Sequence, residues 1–197
     1  MISRPINLAV LVSGGGTTLQ NLIDAVADGR LRAKIVLVIA SRPGIGGIAR
    51  AEAAGLPVAV VERKKFDSLE AFSDAVFDAC TAADVDLVCL GGWLQLLRLP
   101  DAWAGRVMNI HPAILPAYGG RGMFGRHVHA AVLAAGERVS GCTVHWVNNE
   151  YDAGPIIVQR TCPVLPGDTP ETLAARVFEL EKSAYVDAIA AYIADRV

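Results

Sequence analysis

The chain has 197 residues, of which 53% are hydrophobic and 19% charged, with a formal net charge of −2. Soluble domains average about 25% charged residues, so the excess of apolar sequence excludes a disordered polymer. The near-neutral charge balance excludes a general nucleic-acid surface, and no apolar run approaches the roughly 20 residues of a membrane-spanning helix.

In chain order, residues 6–12 (INLAVLV), 34–40 (KIVLVIA), 57–61 (PVAVV) and 85–90 (VDLVCL) are short, β-branched and largely unalternating. Strands buried on both faces of a parallel sheet read this way. The stretch Leu8 to Val12 is too short for a secretory signal core of about 7–15 residues, so a cytoplasmic protein is expected. Helical sequence separates the strands. Leu19, Leu22, Ile23 and Val26 keep the spacing of an amphipathic helix, and 46–55 and 67–82 are Ala-rich. Strand alternating with helix predicts a doubly wound α/β sheet.

The second half is less regular. A strand over 106–110 runs up to Pro112, a glycine-rich loop covers 119–125, and a helix is expected over 127–135. Two further strands, 140–147 and 155–162, precede a final helix with Thr169 at its N-cap and Pro170 at its first position. Leu173, Val177, Leu180, Ala184, Ala188 and Ile189 form that helix's apolar stripe. Without a repeat or linker, the chain reads as one domain over residues 1–197. Cys80, Cys89, Cys142 and Cys162 lack zinc-ligand spacing and read as reduced core thiols, so no metal is expected.

Three stretches can carry chemistry. The first is Ser13-Gly14-Gly15-Gly16-Thr17-Thr18-Leu19, between a strand and a helix. Backbone N–H groups there, with the helix N-terminus, favour a phosphate; a tight turn is the plain alternative. It departs from the dinucleotide fingerprint, having leucine at position 19 and Ser41-Arg42 where NAD needs an acidic residue. Arg42 keeps an NADP-linked oxidoreductase as a rival.

The second is Asn109-Ile110-His111-Pro112. Strand residues two apart face the same side, so an amide donor and an imidazole project together, suited to an oxyanion and to proton transfer. A buried histidine bonded to backbone is the alternative. The third, Tyr151-Asp152-Ala153-Gly154-Pro155, reads as a turn whose aspartate can orient His111 and raise its pKa. His127 and His129 read as helix-start or loop residues, and Arg63-Lys64-Lys65 as a solvated face.

Together, SGGGTTLQ, NIHPAILPAYGGRGM and SGCTVHWVNNEYDAGPIIVQ resemble the glycinamide ribonucleotide transformylase family, the formyltransferases of purine biosynthesis that use 10-formyltetrahydrofolate. The likeness covers nearly the whole chain, DTPETLAARVFELE included. It implies a Rossmann-like α/β domain with a seven-stranded, mostly parallel sheet and helices on both faces. By the resemblance, Asn109, His111 and Asp152 are catalytic, and the N-terminal half holds the ribonucleotide phosphate on Gly16, Thr17 and Thr18. Glu181 matches the glutamate on the ribose side. The folate donor is expected against Leu94, Gln95, Leu96 and Leu97, against Asn148, Asn149, Glu150, Tyr151 and Asp152, and at Asn109.

The implied chemistry is attack of the ribonucleotide's primary amine on the formyl carbon. Asn109 and a protonated His111 would donate to the oxyanion, and Asp152 would favour the charged imidazole and relay the proton. Partners are then small molecules only, without metal, nucleic acid or membrane, in a monomer or homodimer. Thr18, Leu69 and Lys182 depart from the asparagine, arginine and histidine common at those positions, which alters substrate contacts rather than the reaction. Within the superfamily, formyltetrahydrofolate deformylase and methionyl-tRNA formyltransferase share the Asn/His/Asp set but carry an additional N- or C-terminal domain. The deformylase-like hydrolase is the nearest alternative.

Overall fold

The computed structural model describes residues 4–196. Each expected strand is present: β1 (Ile6–Val12), β2 (Ala33–Ala40), β3 (Val58–Val60), β4 (Leu87–Leu90), β5 (Val107–His111), β6 (Val139–Trp146) and β7 (Ile156–Pro163). They form one sheet in the order β3-β2-β1-β4-β5-β6-β7. β1 pairs in parallel with β2 and β4, and β2 with β3, while β6 and β7 are antiparallel. The helices are α1 (Thr17–Ala27), α2 (Gly46–Ala53), α3 (Leu69–Ala82), α4 (Arg126–Ala134) and α5 (Pro170–Ala194). Two short 3-10 turns, Arg63–Lys65 and Asp101–Trp103, carry no periodic signal in the sequence.

The chain divides into two units: the residues up to Met108 with those from Ile189 onward, and Asn109–Ala188. The sequence offers no linker at 108/109 because the division falls inside β5.

In the first unit the unalternating runs are explained by burial. All of β4 is buried, and all of β1 except the half-buried Asn7. Each such Leu, Val or Ile stabilises the fold by roughly 1.5–3 kcal/mol. α1 buries Leu19 and Leu22, as its spacing predicts, but its third buried residue is Ala25, while Ile23 and Val26 are half-buried. α3 begins at Leu69, after Ser68 accepts a hydrogen bond from the Ala71 N–H, two residues later than the Ala-rich stretch suggests. Asp86 accepts from the Asn7 N–H and pairs with Arg4.

In the second unit β7 alternates poorly and is largely exposed, whereas β6 is buried except at its ends. Thr143 Oγ1 donates to the Ala113 carbonyl and accepts from the Leu115 N–H and Gln159 Nε2, tying the segment after β5 to β6 and β7. α5 starts as expected, with Thr169 Oγ1 accepting from the Thr172 N–H. All four cysteines are buried and none is in a disulfide.

Candidate active site

The loop between β1 and α1 belongs to the first unit. Gly16 is the N-cap of α1 in the left-handed region, φ 75°, and no side chain caps the helix. The first-turn N–H groups of α1 are therefore left for a ligand or solvent. A Cβ at Gly16 would lie 2.6 Å from Gly47 Cα, so only glycine permits this approach. Ser13 donates its N–H to the Gly92 carbonyl, and its Oγ accepts from the Leu94 N–H at 3.1 Å. The glycine loop and the 94–97 segment are thus joined at Ser13.

Within that segment Leu94 is exposed, Gln95 and Leu96 are half-buried, and Leu97 is buried. Its C-terminal side is held by the Arg98 N–H donating to Ser73 Oγ at 2.8 Å. Trp93 is buried and stacked on Phe72, with ring centroids 6.1 Å apart.

Asn109, His111 and Asp152 meet in the second unit. Asn109 and His111 share one side of β5. Asp152 Oδ2 lies 3.4 Å from His111 Nδ1, and Asn109 Nδ2 donates to Asp152 Oδ1 at 3.2 Å. The turn carrying Asp152 depends on its glycine and on a strained residue. Asp152 itself has φ 53°, and a Cβ at Gly154 would run into the Trp146 carbonyl oxygen. On the other side, a Cβ at Gly119 would meet Leu115 Cδ2 at 2.6 Å, and the Gly120 N–H donates to Asp152 Oδ2 at 2.9 Å.

Hydrogen-bond partners assign the tautomers. His111 Nε2 lies 2.7 Å from the Tyr118 carbonyl, an acceptor only, so Nε2 carries the proton and Nδ1 is the nitrogen that titrates. His145 Nδ1 likewise donates to the Trp146 carbonyl at 2.8 Å. With that proton on Nδ1, its Nε2 can accept from Asn109 Nδ2, 3.2 Å away. Both Nδ2 hydrogens of Asn109 are therefore engaged by the protein, and donation to a formyl oxygen requires one to be exchanged.

The electrostatics correct one expectation. Asp152 does pull the His111 pKa upward, but burial of the ring, only 4% exposed, outweighs it and the net shift is downward. Asp152 is held below the usual carboxylate range: burial alone would raise it, but the nearby His145 and His111 and the Gly120 N–H prevail. The pair therefore rests as a carboxylate beside a largely neutral imidazole that can take a proton at Nδ1.

The remaining expected residues lie on a loop and a helix of the same unit. Asn148 is half-buried and its Oδ1 accepts from the Glu150 N–H; Asn149, Glu150 and Tyr151 are exposed. Glu181, on α5, is half-buried, and loss of solvation raises its carboxyl to about 7. Two histidines were not assigned to the site from sequence. His145 sits in TVHWV, where strand alternation alone places it inward. His129 is 3% exposed on α4 with Nδ1 unpartnered, and its pKa is lowered first by burial and then by His111. Its helical neighbourhood carries no sign of that proximity. Among the described residues no group of three or more His, Cys, Asp or Glu side chains is placed to hold a metal, and no helix is long and apolar enough to cross a membrane.

The family profile described as Formyl transferase matches residues 6–189. The trifunctional purine biosynthetic protein adenosine-3 of Drosophila melanogaster is 43% identical over 93% of this chain, which spans 14% of that protein. Phosphoribosylglycinamide formyltransferase of Haemophilus influenzae is 39% identical over 90% of this chain and 82% of its own length. The crystal structure of the Brucella melitensis phosphoribosylglycinamide formyltransferase superposes with a TM-score of 0.86 at 40% identity, covering 96% of each chain.

Proposed function

From the premise that the chain belongs to the formyl transferase family, we propose that it transfers the formyl group of 10-formyltetrahydrofolate to the amine of glycinamide ribonucleotide, a step of purine biosynthesis. The observation that carries this reading is the Asn109–His111–Asp152 cluster, with Asp152 oxygens 3.4 Å from His111 Nδ1 and 3.2 Å from Asn109 Nδ2. Amide, imidazole and carboxylate groups, with no thiol or amine among them, suit direct transfer between two bound substrates. The folate co-substrate supplies the formyl group. The net reaction forms one N–C bond, breaks another, and moves one proton from the attacking amine to the departing nitrogen.

His111 Nδ1 and Asp152 hold that proton in transit. A neutral His111 accepts it, and the resulting imidazolium is stabilised by the carboxylate. The positive charge of the His111 imidazolium and a released Asn109 hydrogen then stabilise the negative charge on the formyl oxygen. Gly16, Thr17 and Thr18 hold the ribonucleotide phosphate, using first-turn N–H groups of α1. Glu181 faces the ribose. Leu94 to Leu97 and Asn148 to Asp152 contact the folate ring, largely through backbone groups. The partners are small molecules, and the compartment is the cytoplasm.

The decisive assay mixes purified protein with 10-formyltetrahydrofolate and glycinamide ribonucleotide and follows loss of the formyl group from folate. Ribonucleotide-dependent turnover is expected. Formate release without the ribonucleotide would favour the deformylase reading instead, and NADPH binding without transfer the oxidoreductase.

A further inference from the structure

We propose that Arg50, on α2, is the positioning residue of the phosphate loop: it sets the direction of the loop's N–H donors without touching the phosphate. The proposal rests on the reading of residues 13–18 as the phosphate site. Arg50 Nε donates to the Gly15 carbonyl at 2.8 Å, and Nη1 donates to Gln20 Oε1 at 3.3 Å. Gln20 is itself held on α1, its Nε2 donating to Asp24 Oδ1 at 2.9 Å. The guanidinium therefore approaches the loop in a fixed plane.

Capture of the carbonyl fixes the donor. A trans peptide points its C=O and N–H in opposite directions. With the Gly15 carbonyl turned toward Arg50, the Gly16 N–H points away from it. The preceding peptide is pinned in the same manner, the Gly14 carbonyl accepting from the Gly47 N–H at 3.0 Å. Two successive N–H groups, those of Gly15 and Gly16, are thereby aimed to the opposite side from α2, next to the uncapped N-terminus of α1. Consecutive backbone donors of this kind form an anion-binding nest.

Glycines alone would not hold this shape, because each costs more conformational entropy to order than any other residue. Three in succession, Gly14 to Gly16, need an external brace. α2 supplies it at two points, Arg50 Nε on the Gly15 carbonyl and the Gly47 N–H on the Gly14 carbonyl, and a Cβ at Gly46 would approach the Gly15 carbonyl oxygen to 3.1 Å. The same peptide plane can thus be disturbed by removing Arg50's donors or by crowding the carbonyl from Gly46.

The test compares wild type, Arg50→Met and Gly46→Ala. For both variants the ribonucleotide KM is expected to rise roughly tenfold, the order of a lost charge-assisted hydrogen bond. The folate KM and kcat should stay within twofold. The defect should vanish with the dephosphorylated ribosyl glycinamide as substrate, a result that general destabilisation would not give. An unchanged ribonucleotide KM, an equal rise in both KM values, or an equal defect with the dephosphorylated substrate would overturn the proposal. Should Arg50→Met fail to fold, Gly46→Ala is judged by the same criteria. If wild type transfers no formyl group, the functional reading fails separately. Calorimetric binding of ribose 5-phosphate then decides the role of Arg50, and equal affinity in wild type and variant, or none in wild type, refutes it.

Discussion

Replacing Glu181 with glutamine should make the protein more stable at alkaline pH and change nothing in acid. Burial raises the Glu181 carboxyl from 4.5 to about 7, and no hydrogen-bond donor among the described residues answers it. Each tenfold change in proton affinity is worth about 1.36 kcal/mol, so the charged form carries a penalty of roughly 2–3 kcal/mol after allowance for partial solvent contact. The folded carboxyl binds its proton more tightly than the unfolded one. Its favourable contribution is complete below the unfolded value of 4.5 and is lost as pH rises through about 7.

Glu181→Gln keeps the shape and removes the titration. Urea denaturation of wild type and variant at a series of pH values is the assay, read as midpoint differences at constant slope. The two curves should coincide near pH 4 and separate as pH rises, until the variant leads by roughly 2–3 kcal/mol above pH 8. In thermal unfolding each kcal/mol corresponds to about 2–4 °C for a chain of this length. The lowered His111 and His129 act in the opposite sense, losing stability as pH falls below 6.5, but they are common to both proteins and cancel. A stability difference that does not vary with pH, or a variant less stable than wild type at pH 8, would refute the reasoning.

Asp152→Asn should lower kcat by roughly 100-fold or more with small changes in either KM, and a loss under threefold in steady-state assays would remove Asp152 from the proton path. Because burial lowers His111 below its usual value, the acid limb of the kcat/KM profile should fall below pH 6.5; Asp152→Asn, by removing an upward pull, should move it lower still. Gly154→Ala should cost roughly 3 kcal/mol or more, measured by denaturation, because the added Cβ meets the Trp146 carbonyl oxygen. The thiols of Cys80 and Cys142, pushed up to about 12 by burial, should resist iodoacetamide at pH 8 in the native protein and react after unfolding.

The strands and most helices were legible because their determinants are local. Ile6–Val12 and Leu87–Leu90 advertise burial on both faces by lacking alternation, and Thr169-Pro170 marks a helix start by hydrogen bonding and by a fixed φ. Asn109 and His111 could be placed side by side from strand periodicity alone. Asp152 lies 41 positions beyond His111, and nothing local brings them together. That contact depends on the Gly119–Gly120 and Gly154 approaches and on a left-handed Asp152.

The amino-acid sequence by itself determined the α/β alternation, the glycine loop before α1, the paired Asn109 and His111, and, through its motifs, the family. Only the tertiary structure decided the sign of the His111 shift, because burial and the Asp152 charge oppose each other and neither is visible in one dimension. It alone also joined Arg50 to Gly15 and His145 to Asn109, 35 and 36 positions apart. The physical reason is one of range. Periodicity and capping act over a few residues of backbone, whereas desolvation and long-range hydrogen bonds depend on which segments the packed core sets against each other.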